Sequence, residues 1–394
     1  MAWLLLVACA VRLAPAIGIT LSITACSAAA NQPHASTPGR SNPTPEPAIP
    51  AILAAFDTYD VVAMEAGHQL KDVDDLILAL VRDPRFPDKV NDIEVECGNS
   101  LYQPILDRYI AGLDVPFADA RKAWRNTTQA MCGLSGFYEQ LFPLVRAINQ
   151  KLPAEKRLRV LAGDPPVDWD TIKTPADAST ILARDPSIAS VMEKQVLSKH
   201  RKALMLFGTF HLMHAGSDGR AHSEPNAPPT AVSIYEKNYP NRTFVISELG
   251  IYDTTPFASW PHPSLVRTKG TSLGALSLKD LRTPPVMMRD CKVTVDFPPS
   301  LRKPVETLID AFLYLGPQKL ALTEPTPAAI ALDADYMTEL LRRDSVLEPL
   351  GAPVESLKEV NDDFLREAGA PIQEPPPPPD VRAMEQHCLE QQKR

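Results

Sequence analysis

The chain has 394 residues, of which 44% are hydrophobic, and a formal net charge of −8. This length and apolar content predict that most of the chain folds, as one large domain or as two. The acidic balance and the lack of any Lys/Arg run argue against nucleic acid as a partner, because phosphate binding needs a basic surface.

The first 25 residues have the pattern of a signal peptide. Arg12 is the only charged residue between positions 2 and 30, and the apolar stretch 13–25 is long enough for a signal core but short for a membrane span. The stretch ends in Ile-Thr-Ala before Cys26, which resembles the lipobox of bacterial lipoproteins, where the Cys is acylated. We therefore expect a lipid anchor on Cys26, with an uncleaved N-terminal anchor as the alternative. The expected location is the cell envelope, on the outer membrane and facing the periplasm.

Composition divides the rest of the chain into three parts. Residues 26–50 are rich in Ala, Ser, Pro and Asn, and they predict a flexible tether. Residues 51–372 are expected to form one α/β domain. Residues 373–394 contain five consecutive prolines and predict an extended tail.

Five short, mostly apolar runs predict strands that are buried on both faces, as in a parallel sheet. They span residues 59–64, 92–95, 158–162, 203–207 and 243–246.

Helical patterns separate these runs. Residues 73–81 have one apolar face, and 176–200 supply more helix. Between the second and third strands, three patterns predict a helical insertion over 101–111, 117–131 and 137–152. The alternation predicts a mostly parallel sheet with helices on both faces. Two further helices are predicted at 304–315 and 335–343.

Polar side chains follow three of the predicted strands. Glu65 and His68 form Glu-x-x-His after the first strand, Glu96 ends the second, and His211 and His214 form His-x-x-His after the fourth. Because open parallel sheets bind ligands at the carboxyl ends of their strands, we expect these five side chains in one crevice. Buried carboxylates and imidazoles are costly unless they are paired, so they should contact one another there.

These motifs resemble the superfamily that joins erythromycin esterases, ChaN-type haem-binding lipoproteins and Tiki-type metalloproteases. The resemblance covers residues 54–249, and the order and spacing of the motifs match the erythromycin esterases best. It implies an α/β fold with a Glu/His site at the strand ends. In the esterase branch it implies hydrolysis by an activated water, with all five residues at functional positions.

The chain departs from the family pattern at three points. Met64 stands where a glycine is usual, and Gln69 stands where a small residue often follows the first histidine. Lys71 and Arg82 are poor counterparts of the arginine that the esterases have in the next helix. Macrolide specificity is therefore not expected.

The predicted chemistry is general base catalysis. His68 is our candidate base and His211 the partner of the oxyanion, while Glu65 or Glu96 orients the base. Cofactors stay open, because two or three histidines with two glutamates suffice for a divalent metal, although His-x-x-His is not the helical zinc spacing.

Other polar residues have weaker claims to the site. Asp164 follows the third strand and Glu248 the fifth, so both are expected to line the crevice; capping of a helix is the alternative for Asp164. Glu94 shares a strand face with Glu96, which makes it a further candidate for the pocket, but a solvated or ion-paired side chain is the favoured expectation. Arg125 and Arg159 are candidates for balancing the acidic groups.

Four cysteines follow Cys26. Cys97, Cys132, Cys291 and Cys388 allow three pairings in an exported protein. Pairing of Cys97 with Cys132 would join a strand end to a helix, and pairing of Cys291 with Cys388 would hold the tail. Buried free thiols are the alternative.

Three functions follow as hypotheses. The first is hydrolysis of an ester, lactone or amide in a small-molecule substrate. The second is haem or metal binding, with Tyr102, Tyr109, His211 and His214 as candidate axial ligands of haem. The third is an envelope scaffold without activity. The chain has neither Gly-x-Ser-x-Gly nor a Gly-rich phosphate loop after a strand, which argues against serine hydrolases and nucleotide-binding proteins.

Overall fold

The computed structural model describes residues 39–66, 69–181, 183–214, 229–249, 255–281, 286–289, 292–295, 303–317 and 324–347, with Gln386 and Leu389. The predicted signal peptide, most of the predicted tail, Cys26, His68, Cys291 and Cys388 lie outside the described residues. Within the described part, no helix combines the length and the apolar character that crossing a membrane requires.

Ten strands are described. In chain order they are β1 Pro45–Pro47, β2 Val61–Glu65, β3 Asp92–Asn99, β4 Arg159–Asp164, β5 Ala203–Phe207, β6 Thr243–Glu248, β7 Ser264–Arg267, β8 Val286–Arg289, β9 Lys292–Val295 and β10 Ala311–Tyr314.

The described α-helices surround these strands. They are α1 Ala48–Ala55, α2 Lys71–Arg82, α3 Phe86–Lys89, α4 Gln103–Ile110, α5 Phe117–Arg125, α6 Ala130–Leu134, α7 Gly136–Asn149, α8 Pro175–Ala178, α9 Arg184–Gln195, α10 Thr209–Leu212, α11 Ala231–Tyr235, α12 Leu278–Leu281, α13 Ala328–Ala331 and α14 Ala334–Leu347.

Eight strands form one sheet in the order β1-β7-β10-β6-β2-β5-β3-β4, and β8 pairs with β9 in a separate hairpin. The six strands from β10 to β4 are parallel, whereas β7 is antiparallel to both of its neighbours. The prediction of an α/β fold with a mostly parallel sheet is confirmed. Helices α4 to α7 form the predicted insertion, between β3 and β4.

Both faces of the central strands are buried, which explains their apolar sequences. In β2, Val62 and Met64 pack against α1 and α2 on one face, while Val61 and Ala63 pack against α9 and α11 on the other. All of β5 is buried. Helices therefore cover the two faces, as predicted.

Two predicted segments are wrong. Residues 304–315 were expected to form a helix, but a 3-10 turn at Val305–Thr307 is followed by β10. All four residues of β10 are buried between β6 and β7, and a short apolar run of this kind fits a helix or a buried strand equally well. The predicted tether also ends too late, because β1 and the start of α1 lie before position 51.

The connections after β2 and β5 run in opposite directions along the sheet. These strands are neighbours, but the chain leaves β2 through α2 on one face towards β3, and leaves β5 through α11 on the other face towards β6. Ligand crevices of open α/β sheets lie at such switch points, beyond the carboxyl ends of the strands.

Candidate active site

A buried arginine is at the centre of the polar groups at this edge of the sheet. Arg184 is the first residue of α9, and its side chain is only 4% exposed. Its Nε donates to Asp164 Oδ1 at 2.7 Å, and its Nη1 donates to Glu96 Oε1 at 2.9 Å. Burial favours the neutral form, but Asp164 and Glu96 outweigh burial and raise the pKa of Arg184, so the guanidinium is a fixed cation.

His211 contacts the same guanidinium. Its Nε2 lies 3.3 Å from Arg184 Nη1, and its Nδ1 lies 2.9 Å from Asp185 Oδ1. Because a guanidinium has no acceptor, Nε2 must accept this hydrogen bond and the ring proton must lie on Nδ1, which donates it to Asp185. These contacts correspond to the Nδ1–H tautomer of the ring.

Asp185 fixes this ring from a second direction. The same Oδ1 atom also accepts a hydrogen bond of 2.7 Å from the backbone N–H of Ala231, at the start of α11. The carboxylate therefore joins α9, the α10 turn and α11, and His211 is held at 8% exposure.

Glu96 reaches the site because β3 bulges at this point. Val95 pairs with Ala162 and Asn99 pairs with Asp164. Between these two pairs, β3 advances by four residues while β4 advances by only two. A Cβ on Gly98 would lie 2.7 Å from Ala162 Cα, so only glycine permits this approach of the two strands. The bulge places Glu96 Oε2 2.7 Å from the backbone N of Gly208, which donates to it.

Glu65 joins the neighbouring strand ends. Its Oε2 accepts hydrogen bonds from Ser247 Oγ at 2.6 Å and from the backbone N of Glu248 at 2.7 Å. Ser247 Oγ also lies 3.4 Å from Thr209 Oγ1. Because Thr209 follows Gly208, the ends of β2, β5 and β6 are connected to the turn that holds Glu96 and His211.

Asp164 has a supporting role rather than the helix cap that was its alternative. In addition to Arg184, it accepts hydrogen bonds from Thr128 N at 2.6 Å and Thr128 Oγ1 at 2.9 Å. The arginines predicted to balance the acidic groups bind elsewhere: Arg125 pairs with Glu139 and Asp333, and Arg159 pairs with Asp107.

The structure gives His214 different partners from those of His211. Its Nδ1 lies 2.9 Å from Glu236 Oε2, and its Nε2 lies 2.8 Å from Asp310 Oδ2. Burial opposes the charged ring, but the hydrogen bonds to Asp310 and Glu236 outweigh it and raise the pKa of His214 to about 10. With both nitrogens bound, His214 is an imidazolium. It bridges Glu236 at the end of α11 and Asp310 just before β10.

Glu94 differs from the expected solvated or ion-paired carboxylate. Its side chain is fully buried, and neither oxygen has a hydrogen-bond partner among the residues that the structure describes. Burial, reinforced by the charge of Asp92, raises the pKa of Glu94 well above its usual value, so the group is a neutral acid.

Sequence reasoning missed Arg184 and Asp185, because it placed both inside one long helix over 176–200. The available signal was Pro186, which is tolerated in the first turn of a helix and therefore marks a helix start at Arg184. The buried arginine comes from α9, not from the helix after His68 where the family pattern has one.

The described donors at His211 do not fit a metal or haem iron. Nε2 accepts from Arg184 and Nδ1 is bound to Asp185, so both ring nitrogens are engaged by protein groups in this arrangement. Among the described residues, no group of three or more His, Cys, Asp or Glu side chains is arranged to hold a metal ion. The other haem candidates are also engaged: the Tyr102 hydroxyl accepts from Asn126 Nδ2, and Tyr109 is covered by Arg146.

Cys97 and Cys132 form a disulfide, one of the pairings that the sequence allowed. It joins the end of β3 to α6.

No family model and no curated protein sequence matches the chain. The solved structures that resemble it include a protein from Bacillus cereus, with 10% identity, a TM-score of 0.44, and coverage of 70% of this chain and 95% of that one. A succinoglycan biosynthesis protein has 10% identity, a TM-score of 0.45, and coverage of 70% and 94%. A mutant erythromycin esterase in its open conformation has 10% identity, a TM-score of 0.41, and coverage of 68% and 92%. At such identities and TM-scores, nothing about the site follows from these likenesses.

Proposed function

We propose that the chain is a hydrolase that cleaves an ester, lactone or amide bond with a water activated at His211. One observation carries this proposal. The His211 ring is held by Asp185 through Nδ1, and its unprotonated Nε2 lies beside a buried guanidinium at the strand ends. A carboxylate that fixes the tautomer of a histidine is the usual support of a general base.

This geometry changes the role expected for His211. The sequence suggested that His211 stabilises the oxyanion and that His68 is the base, a role of His68 that stays a prediction. Because Asp185 stabilises the imidazolium that forms after proton transfer, the contacts support His211 as the group that takes a proton from water.

Arg184 supplies the complementary charge. Its Nη1 has two hydrogens, and in the resting site it directs them to Glu96 Oε1 and to His211 Nε2. When Nε2 accepts a proton from water instead, the second N–H becomes available to the negative oxygen of a tetrahedral intermediate. Glu96 keeps the guanidinium in place during this exchange, and a preorganised donor of this kind stabilises the developing charge.

A hydrolysis assay with a matched pair of variants tests the proposal. The full chain is assayed against activated esters, lactones and amides, and we expect His211→Asn to lower kcat/KM by about 10²- to 10⁴-fold, the usual contribution of a general base. His200→Asn is the control, because His200 is exposed and its left-handed backbone (φ 54°) suits asparagine. The proposal is overturned if His211→Asn turns over every substrate as fast as the wild type does, or if the wild type turns over none of them.

We also propose that the chain is exported and carries a lipid on Cys26, in the cell envelope with its domain facing the periplasm. The signal-like stretch before Cys26 supports this, and so does the Cys97–Cys132 disulfide, because disulfides persist in oxidising compartments. Cys9, the other cysteine of the N-terminal stretch, follows Leu-Val-Ala and provides a matched control. In a bacterial host fed labelled palmitate, wild type and Cys9→Ser should incorporate the label, whereas Cys26→Ser should not. Labelled Cys26→Ser protein would contradict the anchor.

A further inference from the structure

The strand that carries Glu96 changes register at this residue. Pairing of β3 with β5 is regular up to Val95, and pairing of β3 with β4 shifts register between Val95 and Asn99. Glu96, Cys97 and Gly98 therefore lie in a β-bulge, where the regular strand register does not by itself define the direction of the Glu96 side chain.

The Cys97–Cys132 disulfide anchors this bulge at its middle residue. Both cysteines are fully buried, and Cys97 directly follows Glu96. The bond ties the bulge to α6, in the insertion between β3 and β4. Loss of the bond would remove the covalent constraint on the residue next to Glu96.

The other end of the disulfide lies close in sequence to the support of Asp164. Thr128, four residues before Cys132, binds both carboxylate oxygens of Asp164 through its backbone N–H and its hydroxyl. Asn99 reinforces this segment, because its Nδ2 donates to the carbonyl of Asn126 at 2.7 Å. The segment 126–132 is therefore fixed to the end of β3 by a covalent bond and by a hydrogen bond.

These two supports converge on Arg184. Glu96 accepts from Nη1 and Asp164 accepts from Nε of Arg184. The disulfide therefore connects the segment that carries Glu96 with the segment that binds Asp164. Arg184 Nη1 in turn contacts His211 Nε2, while Asp185 contacts Nδ1 of the same ring. A shift of either carboxylate would move Arg184 relative to the His211 ring.

We propose that the Cys97–Cys132 disulfide and Thr128 are positioning elements for Arg184, so that the site is complete only in the oxidised protein. The consequence for turnover rests on the proposed hydrolase function, whereas the consequence for the His211 ring does not. Reduction by a dithiol breaks the S–S bond: two electrons pass to the cysteines, each cysteine takes up one proton, and the dithiol closes to a disulfide.

The Nε2 nitrogen of His211 is the direct readout, because a merely stabilising disulfide would not change its contact with Arg184. In ¹⁵N-histidine-labelled full chain, long-range proton–nitrogen spectra should show one ring in the Nδ1–H form that disappears in His211→Asn. In Cys97→Ala/Cys132→Ala the Nε2 signal of this ring should shift, because Arg184 moves relative to Nε2 while Asp185 still binds Nδ1. The same change should follow dithiothreitol treatment of wild type and reverse on reoxidation.

Thr128→Val tests the second support without touching the disulfide. It removes the hydroxyl bond to Asp164 and should perturb the His211 ring in the same direction. Thr127→Val is the matched control, because the Thr127 hydroxyl bonds only the backbone of Gln129. For turnover, we expect the cysteine double variant to lose about 10- to 100-fold in kcat/KM, the scale of a misplaced catalytic group, with a changed pH profile.

The outcomes separate this inference from the proposed function. Wild-type ring signals and an unchanged pH profile in both Cys97→Ala/Cys132→Ala and Thr128→Val, with only a lower melting temperature, would overturn it. If the ring responds as expected in a chain that hydrolyses nothing, the positioning role stands and the hydrolase proposal fails. If hydrolysis depends on His211 but the ring does not respond, the hydrolase proposal stands and the positioning role fails.

Discussion

His211 and His214 flank the same turn after β5, but their surroundings differ in charge. Nε2 of His211 meets the guanidinium of Arg184, whereas both nitrogens of His214 meet carboxylates. A ring whose Nε2 faces a guanidinium and whose Nδ1 meets one carboxylate is arranged as a proton acceptor, while a ring between two carboxylates stays charged and bridges them. The difference shows that the neighbours from distant segments, and not the His-x-x-His motif, determine what each histidine can do.

The most severe test of this comparison removes Arg184, the cation beside His211. Arg184→Met keeps the volume of the side chain but leaves Glu96 and Asp164 buried without their partner. Removal of one member of a buried ion pair costs about 3–5 kcal/mol of unfolding free energy. Urea unfolding of the full chain at neutral pH measures this loss.

Arg159→Met provides the control for that loss. Arg159 pairs with Asp107 at 3.1 Å, but both side chains are about one-third exposed (33% and 37%). Exposed ion pairs contribute about 1 kcal/mol or less. Equal losses in the two variants would show that Arg184 is not the electrostatic centre of the site.

A second pair of residues extends the comparison to acids. Glu94 and Glu96 are two positions apart on β3, yet Glu96 is paired with Arg184 and Glu94 is buried without a partner. Because the folded pKa of Glu94 is raised, its contribution to stability is fully present below pH 4.5 and is lost as the pH rises towards the folded pKa. In that pH range, each pH unit lowers the free energy of unfolding of the wild type by about 1.4 kcal/mol.

Glu94→Gln should remove this loss, because an amide does not titrate. The variant should therefore gain stability relative to wild type as the pH rises from 4.5 to 7, which urea midpoints at several pH values measure. Glu155→Gln makes the same chemical change at an exposed position and serves as the control. A difference between Glu94→Gln and wild type that does not change with pH would show that Glu94 is ionised in the fold.

The sequence was sufficient for the fold class because the central strands are buried on both faces. A strand such as β5 is then apolar along its whole length, and its bounds follow from composition alone. β10 was missed because its four apolar residues follow a segment with helical spacing, and periodicity cannot distinguish a short buried strand from a buried helix. β1 and β7 are short strands at one side of the sheet, with weaker apolar patterns.

The candidate site was predictable only in part, for a related reason. Glu65, Glu96 and His211 follow strands, so the sheet topology places them at one edge. The partners that decide their chemistry, Arg184 and Asp185, come from the start of a helix, and nothing local in the sequence shows that an arginine there is buried. His214 was grouped with His211 because spacing along the chain cannot show which way a turn directs each ring.

The smallest expected effect on turnover concerns His214. His214→Asn removes the cation between Glu236 and Asp310, and each of the two hydrogen bonds to the charged ring contributes about 2 kcal/mol of stability. Because the folded pKa of His214 is raised from 6.5 to about 10, this contribution is fully present below pH 6.5 and is lost as the pH rises through about 10. The difference in unfolding free energy between variant and wild type should therefore be largest near pH 6 and shrink towards pH 10.

Urea unfolding of both proteins across this range measures that trend, with His200→Asn as the exposed control. Turnover should fall far less in His214→Asn than in His211→Asn, since His214 binds Glu236 and Asp310 rather than the guanidinium. If His214→Asn instead abolished turnover while its stability stayed equal to that of wild type at pH 6, the assignment of the two histidines would have to be exchanged. The charge of the neighbouring side chains would then be a poor guide to the role of a histidine in this crevice.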